Sequence, residues 1–422
     1  MIHPDREGRG SARRPEARLE EAAGLALALD LEVRETRVVN LRQLTPATLF
    51  GKGKVEEIRV LIEVEELDVV VIDDALTPVQ QRNLEKAWQA KVMDRTGLIL
   101  EIFARRARTR EGRLQVELAR LTYERSRLVR TWTHLERQRG GFGVMGGPGE
   151  TQIETDRRLI AEKIRKLKAE LVEVRRTRTL QRSARKRVPF PTVALVGYTN
   201  AGKSTLFNRL THAEVVAEDM LFATLDPTLR TLSLPDGRPA ILSDTVGFIS
   251  DLPHELVEAF RATLEEVKEA DVVLHVRDIA SAESAAQAGD VRTVLNRLGV
   301  DMEERSILEV WNKADLLPAE DRAELARDAR RAKPPAVLVS AVTGAGCEDL
   351  LAVVAGLVDE APPVDIYTPA GEGAAIAWLY RNGRVMERID GKDGSVRLAV
   401  SLTAQALGQF EQLYPQVQVH AR

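Results

Sequence analysis

The strongest chemical signal in this 422-residue chain is the segment GYTNAGKS at residues 197–204. It matches the pattern G-x-x-x-x-G-K-[ST] of a phosphate-binding loop, and it stands between an apolar run and a helical pattern, as that loop requires. The two glycines allow backbone N–H groups to surround a phosphate at a helix N-terminus. Lys203 would neutralise the β- and γ-phosphate oxygens, and the hydroxyl of Ser204 would bind Mg²⁺. The predicted nucleotide-binding residues of this loop are Gly197, Tyr198, Thr199, Asn200, Ala201, Gly202, Lys203, Ser204 and Thr205.

Two later segments are expected to complete a triphosphate site. Asp244 and Gly247 belong to the segment DTVG, which follows an apolar strand pattern. The carboxylate would hold Mg²⁺ through water, and the Gly247 N–H would sense the γ-phosphate. The segment LFATLDP lies between these motifs and offers Thr224 as the threonine that closes over Mg²⁺, with Thr228 as the alternative. The predicted metal ligands are Ser204, Thr224 and Asp244, and the predicted catalytic residues are Lys203, Thr224 and Gly247.

A further pattern predicts which base the nucleotide carries. Asn312, Lys313 and Asp315 form the segment NKAD directly after an apolar run. A carboxylate only accepts hydrogen bonds, so Asp315 can pair with the N1–H and exocyclic amine of guanine, whereas adenine offers neither donor there. Asn312 is expected to brace neighbouring loops, and Lys313 to pack its stem over the purine. The N–H of Ala341, which follows Ser340, would meet guanine O6, so the sequence predicts a GTP or GDP site with Mg²⁺.

These motifs need a sheet that brings strand ends together, and residues 188–361 supply one. Five apolar runs alternate with helical stretches there, at residues 193–196, 240–243, 272–276, 307–311 and 336–339. Such alternation is typical of a mostly parallel sheet covered by helices on both faces. We therefore predict an α/β fold with a P-loop GTPase domain over residues 188–361.

Two smaller units are expected on either side of that domain. Residues 1–20 are charged and contain proline and glycine, which predicts a disordered lead-in, and residues 21–110 predict a small α/β domain. Its strand-like segments are residues 31–39, 69–72 and 91–93, and its helical segments are residues 52–66 and 77–90. Residues 362–422 predict a small C-terminal ββ(β)α module. Its strands are expected at residues 374–380, 385–389 and 396–402, before a helix from Thr403.

Residues 111–187 predict a basic helical hairpin. Apolar residues recur at steps of three and four in two stretches, which indicates two long helices that pack along a shared seam. The seam residues are Leu114, Leu118, Leu121, Leu128, Trp132 and Leu135, and then Ile153, Ile160, Ile164, Leu167, Leu171 and Val174. Between them, residues 140–149 contain six glycines. This tip is either a binding loop or a flexible connector, since long loops in compact proteins are usually functional or disordered.

Composition and charge narrow the class of protein further. Apolar residues make up 44% of the chain and charged residues 30%, which is typical of a globular protein of two or three domains. The single Cys347 excludes a secreted, disulfide-stapled protein, and no signal peptide or membrane span is predicted, so we expect a cytoplasmic protein. Residues 101–187 have a net charge of +13, although the whole chain has −3. That segregation favours a polyanionic partner for the hairpin, with a solvated helical surface as the alternative.

Taken together, these motifs closely resemble those of the HflX-type ribosome-splitting GTPases, and the resemblance extends from about residue 40 to about residue 360. The resemblance rests on the nucleotide motifs and on residues 76–84 (LTPVQQRNL), 94–100 (DRTGLIL), 147–158 (GPGETQIETDRR) and 244–248 (DTVGF). It implies binding to the large ribosomal subunit, with the hairpin and its tip on ribosomal RNA near the peptidyl-transferase centre. It also implies dissociation of stalled or stressed ribosomes, by a protein that we expect to be a monomer away from the ribosome.

Two residues of the site leave alternatives open. Phe248 stands where many GTPases carry a glutamine that orients water, and it cannot form a side-chain hydrogen bond. Intrinsic hydrolysis should then be slow until a partner completes the site, unless Phe248 is only a packed residue. Asn200 resembles the asparagine of potassium-stimulated GTPases, so K⁺ is a candidate second cation. The alternative is that Asn200 only hydrogen-bonds the loop backbone.

Two other functions compete with ribosome splitting. A ribosome-assembly or RNA-binding GTP switch, in which hydrolysis only resets the state, would use the same nucleotide site and basic hairpin. A small-molecule P-loop kinase is disfavoured, because the guanine motif and the switch threonine have no use there.

Overall fold

The structure is a computed structural model that describes residues 1–6, 13–138, 148–185, 190–213, 221–222, 224–225, 228–252, 266–297, 299–300, 306–358, 364–391, 393–402 and 404–421. For the helix ends at residues 128–138, 148–153 and 177–185 it describes the backbone alone. No helix within these ranges is long and apolar enough to cross a membrane.

The N-terminal unit is a four-stranded parallel sheet in the order β2-β1-β3-β4, packed with helices. Its own core contains Phe50, Leu84 and Trp88, all buried. Helix α3 begins with a capping box, in which Thr77 and Gln80 each bond the other's backbone N–H. The elements are β1 (Ile2–Arg6), α1 (Pro15–Leu27), β2 (Arg37–Leu41), α2 (Lys52–Val64), β3 (Val69–Ile72), α3 (Pro78–Trp88), β4 (Lys91–Asp94) and α4 (Arg95–Arg106).

The expectation of a disordered lead-in is wrong for the described residues 1–6 and 13–20, which include strand β1 and the first turns of α1. Strand β1 lies inside the sheet, where Ile2 pairs with Arg37 of β2 and with Ile72 of β3. The segment IHPDR has little strand propensity, because proline cannot donate to a ladder and aspartate is rare in strands. Hydrogen bonding to β2 on one side and β3 on the other stabilises the strand despite this low propensity. The strand expected at residues 31–39 is displaced toward the C-terminus: strand β2 spans Arg37–Leu41.

The helical hairpin is confirmed where the structure describes it. Helix α5 (Arg110–Gln138) packs against α6 (Pro148–Arg185), with seam residues Leu121, Ile164 and Leu171 buried. Near the hairpin base, the Tyr123 hydroxyl donates to Asp94 Oδ1 at 2.6 Å, which joins α5 to the N-terminal sheet. Residues 140–147 of the glycine-rich tip lie outside the described residues.

The GTPase domain contains the predicted parallel sheet, in the order β10-β9-β8-β5-β7-β6. All five strands expected from the apolar runs are present and parallel. Strand β6, an antiparallel edge strand on β7, was not predicted. The elements are β5 (Thr192–Gly197), α7 (Lys203–Thr211), β6 (Thr228–Ser233), β7 (Pro239–Asp244), β8 (Val272–Asp278), α8 (Ser284–Arg297), β9 (Ser306–Asn312), α9 (Ala319–Ala329), β10 (Ala336–Leu338) and α10 (Cys347–Val358).

The C-terminal module is an antiparallel sheet, in the order β12-β13-β11-β14, with two helices. The strand expected at residues 374–380 is wrong, because this segment is helical. Ala375 and Leu379 are both buried and stand four residues apart, which is the period of a helix face. The elements are β11 (Val364–Thr368), α11 (Gly373–Asn382), β12 (Arg384–Asp390), β13 (Val396–Ser401), α12 (Ala404–Leu413) and β14 (Gln418–Ala421). The proposed domain boundaries within residues 21–422 stay predictions.

Candidate nucleotide site

The phosphate-binding loop joins the end of β5 to the start of α7. Gly197 has φ +154° and Gly202 has φ +90°. A Cβ atom would lie 2.2 Å from the Val276 carbonyl oxygen at Gly197, and 2.2 Å from Asn312 Nδ2 at Gly202. Only glycine fits these two positions, because the backbone passes too close to its neighbours for any side chain.

Lys203 occupies the first turn of α7 and is buried. Its Nζ donates to the carbonyl oxygens of Gly197, at 3.2 Å, and Tyr198, at 2.8 Å. Burial lowers the pKa of Lys203 to about 8, although the Asp244 carboxylate acts in the opposite direction. A bound phosphate would favour the charged amine, because the opposite charge offsets the cost of burial.

Three predicted metal ligands lie together beside this lysine. Ser204 Oγ donates to Asp244 Oδ2 at 2.7 Å, and Thr224 Oγ1 lies 2.8 Å from Ser204 Oγ. Thr224 Oγ1 also donates to Asp244 Oδ2, at 3.1 Å. The second carboxylate oxygen, Asp244 Oδ1, is buried without a hydrogen-bond partner among the described residues. Two hydroxyls and a carboxylate with spare acceptor capacity fit Mg²⁺, which prefers oxygen ligands and keeps several waters.

The Asp244 carboxyl is buried, and the direction of its pKa shift reflects that burial. Burial raises the pKa of this carboxyl, while Lys203 and the hydroxyls of Ser204 and Thr224 pull it down. A divalent cation here would favour the ionised form. Within the described ranges, no group of three His, Cys, Asp or Glu residues is arranged to hold a metal ion.

Gly247 faces the same lysine from the segment after β7. A Cβ atom at this position would lie 3.0 Å from Lys203 Nζ and 2.8 Å from Thr199 Cγ2. The absence of a side chain therefore keeps open the space between the phosphate loop and the backbone of Gly247. The backbone N–H of Gly247 could approach a γ-phosphate through that space.

The predicted base-recognition residues meet at the ends of β9 and β10. Asn312 Nδ2 donates to the Ala201 carbonyl at 2.9 Å, and Asn312 Oδ1 accepts from the Ala341 N–H at 3.0 Å. Asn312 thereby joins the phosphate loop to the segment of Ala341. Asp315 Oδ1 accepts from Ser340 Oγ at 2.5 Å, which fixes the orientation of the carboxylate.

Lys313 and Asn200 both have left-handed backbone conformations, with φ +65° and φ +59°. Lys313 Nζ lies 2.9 Å from Asp278 Oδ2 at the end of β8. The Asn200 residue is exposed, and the structure shows no hydrogen bond from its side chain to a described residue. The backbone-bonding role considered for Asn200 is therefore not seen.

Phe248 lies against the phosphate loop through its backbone. Its N–H donates to the Gly197 carbonyl at 3.1 Å, and its carbonyl accepts from the Thr199 N–H at 2.7 Å. The side chain is buried in an apolar cluster that also contains Leu98 and Phe103 of α4. This arrangement favours the alternative in which Phe248 is a packed residue.

A set of buried polar residues, which no sequence motif indicated, joins the N-terminal unit to the site. Arg95 donates to Glu21 Oε1, at 2.5 Å, and to the carbonyl and hydroxyl of Ser250, at 3.1 and 3.0 Å. The Ser250 N–H donates to the Tyr198 hydroxyl at 2.7 Å, and that hydroxyl in turn donates to Glu21. In the sequence, Arg95 and Glu21 have the character of ordinary charged surface residues.

Four family models match the chain in succession. The model described as "GTP-binding GTPase N-terminal" matches residues 16–104, and "GTP-binding GTPase Middle Region" matches residues 106–185. The model described as "50S ribosome-binding GTPase" matches residues 192–313, and "HflX C-terminal domain" matches residues 325–419. Together these matches extend over most of the chain.

Curated proteins with the name "GTPase HflX" are similar along almost their whole length. The protein from Magnetococcus marinus is 53% identical over 394 residues, which is 93% of this chain and 90% of the relative. The protein from Escherichia coli is 45% identical over 389 residues, or 91% of this chain and 89% of the relative. A GTP-binding protein from Sulfolobus solfataricus, solved with GDP, covers 85% of this chain and 99% of its own, with 24% identity and a TM-score of 0.44.

Proposed function

Because the chain belongs to the HflX family of GTPases, we propose that it binds the large ribosomal subunit in its GTP state and dissociates stalled or stressed ribosomes. The protein is a GTP hydrolase of the P-loop class, which generally uses Mg²⁺. We assign the Mg²⁺ ligands to Ser204, Thr224 and, through water, Asp244. Lys203 and the Gly247 N–H would stabilise the charge on the γ-phosphate, and Asp315 would select guanine.

The observation that carries the ribosome proposal is a basic surface on α6. Six Lys and Arg side chains within residues 157–168 are exposed, while Ile164 and Leu171 of the same helix are buried. An exposed basic surface on a helix attracts nucleic-acid phosphates and releases their counterions. The exposed residues are Arg157, Arg158, Lys163, Arg165, Lys166 and Lys168.

We propose that this surface and the glycine-rich tip at residues 140–149 contact ribosomal RNA. The phosphate contacts would orient the hairpin, and the tip would reach the RNA near the peptidyl-transferase centre. We further propose that the protein works in the cytoplasm, where ribosomes are found, and as a monomer off the ribosome.

Binding to purified large subunits tests the proposal. Replacing residues 140–149 by a two-residue turn should spare GTP binding and weaken subunit binding in a pelleting assay. Reversing the charges of Arg157, Arg158 and Lys163 should also weaken binding and reduce its salt dependence. Reversing Lys52, Lys54 and Arg59, which are three basic residues of α2 outside the hairpin, is the matched control. If the hairpin variants pelleted as well as the wild-type protein did, the hairpin would not be the RNA-binding element.

A further inference from the structure

The segment that carries Thr224 is anchored in the N-terminal unit. Phe222 and Leu225, on either side of the threonine, are buried in the apolar cluster built by α1, α4 and the GTPase sheet. The Phe222 ring packs edge-on against Phe103 of α4, with the ring centroids 4.6 Å apart and an interplanar angle of 80°. Leu221 contacts α1, since a Cβ atom at Gly24 would lie 3.2 Å from its Cδ1.

The backbone of Phe222 adopts an uncommon conformation that the surrounding packing must maintain. Phe222 has φ +59°, in the left-handed region that bulky side chains rarely occupy. Such a conformation costs free energy and persists only where the surrounding packing imposes it. The contact with Phe103 is a well-formed aromatic pair that can supply part of that free energy.

The hydroxyl of Thr224 lies beside the other two proposed metal ligands, Ser204 and Asp244. Thr224 Oγ1 lies 2.8 Å from Ser204 Oγ and 3.1 Å from Asp244 Oδ2. Thr224 is two residues from Phe222 and adjacent to Leu225. The packing of these two apolar residues therefore limits how far the hydroxyl can move away from Asp244.

We propose that Phe222 and Phe103 are positioning residues, through which the N-terminal unit sets Thr224 for Mg²⁺·GTP. The inference rests on the proposed role of Thr224 as a metal ligand. A threonine whose neighbours are held by packing loses less conformational entropy when it closes over the metal, so the contact favours GTP over GDP. By thermodynamic linkage, the nucleotide that orders Thr224 also stabilises the packing of Phe222 on α4.

The same apolar cluster extends to the hairpin. Val116 and Ala119 of α5 are buried in it together with Phe103 and Phe222. Helix α5 therefore contributes to the same core into which Phe222 packs.

Nucleotide discrimination in variants tests the inference. We would measure the affinities of a fluorescent GDP and a fluorescent non-hydrolysable GTP analogue for Phe222→Leu, Phe103→Leu and the double variant. Each single change should weaken GTP-analogue binding about fivefold while the GDP affinity stays within about twofold. The double variant should be no weaker than either single variant, because both changes remove one contact. Unchanged GDP binding also shows that the variants fold.

Two comparison variants separate the possible failures. Phe50→Leu removes a buried aromatic ring from the separate core of the N-terminal unit, and it should change neither affinity. Thr224→Ala should weaken GTP-analogue binding at least as much as Phe222→Leu. If only Thr224→Ala had an effect, the positioning role would be wrong while the metal role stood. If Thr224→Ala had none, both would be wrong. Equal losses for GDP and the GTP analogue, or additive effects in the double variant, would also overturn the inference.

Discussion

Arg95 donates to the backbone carbonyl of Ser250, three residues after Gly247, across the boundary between the N-terminal unit and the GTPase domain. The guanidinium is buried and also bonds Glu21 and Asp73, each at 2.5 Å. Burial by itself would raise the pKa of the Glu21 carboxyl, but the charges of Arg95 and Arg13 hold it below its usual range. The segment that follows Gly247 is therefore fixed by a charged residue of another domain.

We expect Arg95→Ala to destabilise the protein by about 3 kcal/mol, because it leaves buried carboxylates without their main counter-charge. The value lies at the low end for broken buried pairs, since Arg13 still contacts Glu21 at 2.8 Å and Arg18 lies 3.8 Å from Asp73. Denaturant unfolding followed by circular dichroism measures the change. Arg59→Ala, which removes the two surface ion pairs of Arg59 with Glu56 and Glu63 on α2, should have no resolvable effect. A loss for Arg95→Ala no larger than that control would show that the network contributes nothing.

Stability should fall in mild acid because of His275. Burial lowers the pKa of this histidine to about 4, although Glu309 acts in the opposite direction, and neither ring nitrogen has a hydrogen-bond partner among the described residues. In the unfolded chain this histidine has a pKa near the usual 6.5, so it binds a proton at a pH where the folded protein keeps the ring neutral. The free energy of unfolding should therefore drop by about 2 kcal/mol between pH 7.5 and pH 4.5.

Comparing pH profiles of variants isolates that contribution. His275→Leu should flatten the profile between pH 6.5 and pH 4.5, since it removes the group that titrates only in the unfolded chain. His212→Gln, at an exposed position after α7, should keep the wild-type profile. If His275→Leu and the wild-type protein lost stability equally over this interval, His275 would not be the cause.

Phe248→Gln should not activate hydrolysis. The side chain lies in the apolar cluster, and its backbone is held by two hydrogen bonds to the phosphate loop. A glutamine there would bury an amide without partners, which we expect to cost about 1–3 kcal/mol of stability. Single-turnover GTP hydrolysis without ribosomes should stay at the wild-type rate. A tenfold faster rate would mean that this side chain reaches the attacking water.

Potassium should stimulate GTP turnover if Asn200 helps to hold a cation beside the phosphates. A fixed cation could offset the charge that develops on the bridging oxygen as the β–γ bond breaks. Ribosome-free turnover at matched ionic strength should be higher in KCl than in NaCl, and Asn200→Ala should remove the difference. Equal rates in the two salts would leave Asn200 without a cation role.

The nucleotide motifs were predictable from the sequence because each of them is local. The loop from Gly197 to Ser204 and the pair Asn312 and Asp315 are short segments at strand ends, and a parallel sheet brings such ends to one edge. The five apolar strands were predictable for the same reason. Each carries a continuous hydrophobic run, as buried parallel strands do.

What could not be predicted depends on contacts between distant segments. Strand β1 consists of poor strand formers and exists because β2 and β3 pair with it. Arg95 and Glu21 are charged residues, and a single sequence gives no sign that they are buried together. The packing of Phe222 on Phe103 joins residues more than a hundred positions apart, so no local pattern could reveal it.

Sedimentation of mature ribosomes with the protein tests the central claim most directly. We expect GTP and a non-hydrolysable GTP analogue to convert ribosomes into subunits, with the protein migrating with the large subunit, whereas GDP leaves ribosomes intact. The GTP-bound state with Thr224 over the metal is the active form in this account. If GTP-loaded protein left mature ribosomes intact and bound only precursor particles, ribosome splitting would be contradicted and an assembly switch would take its place.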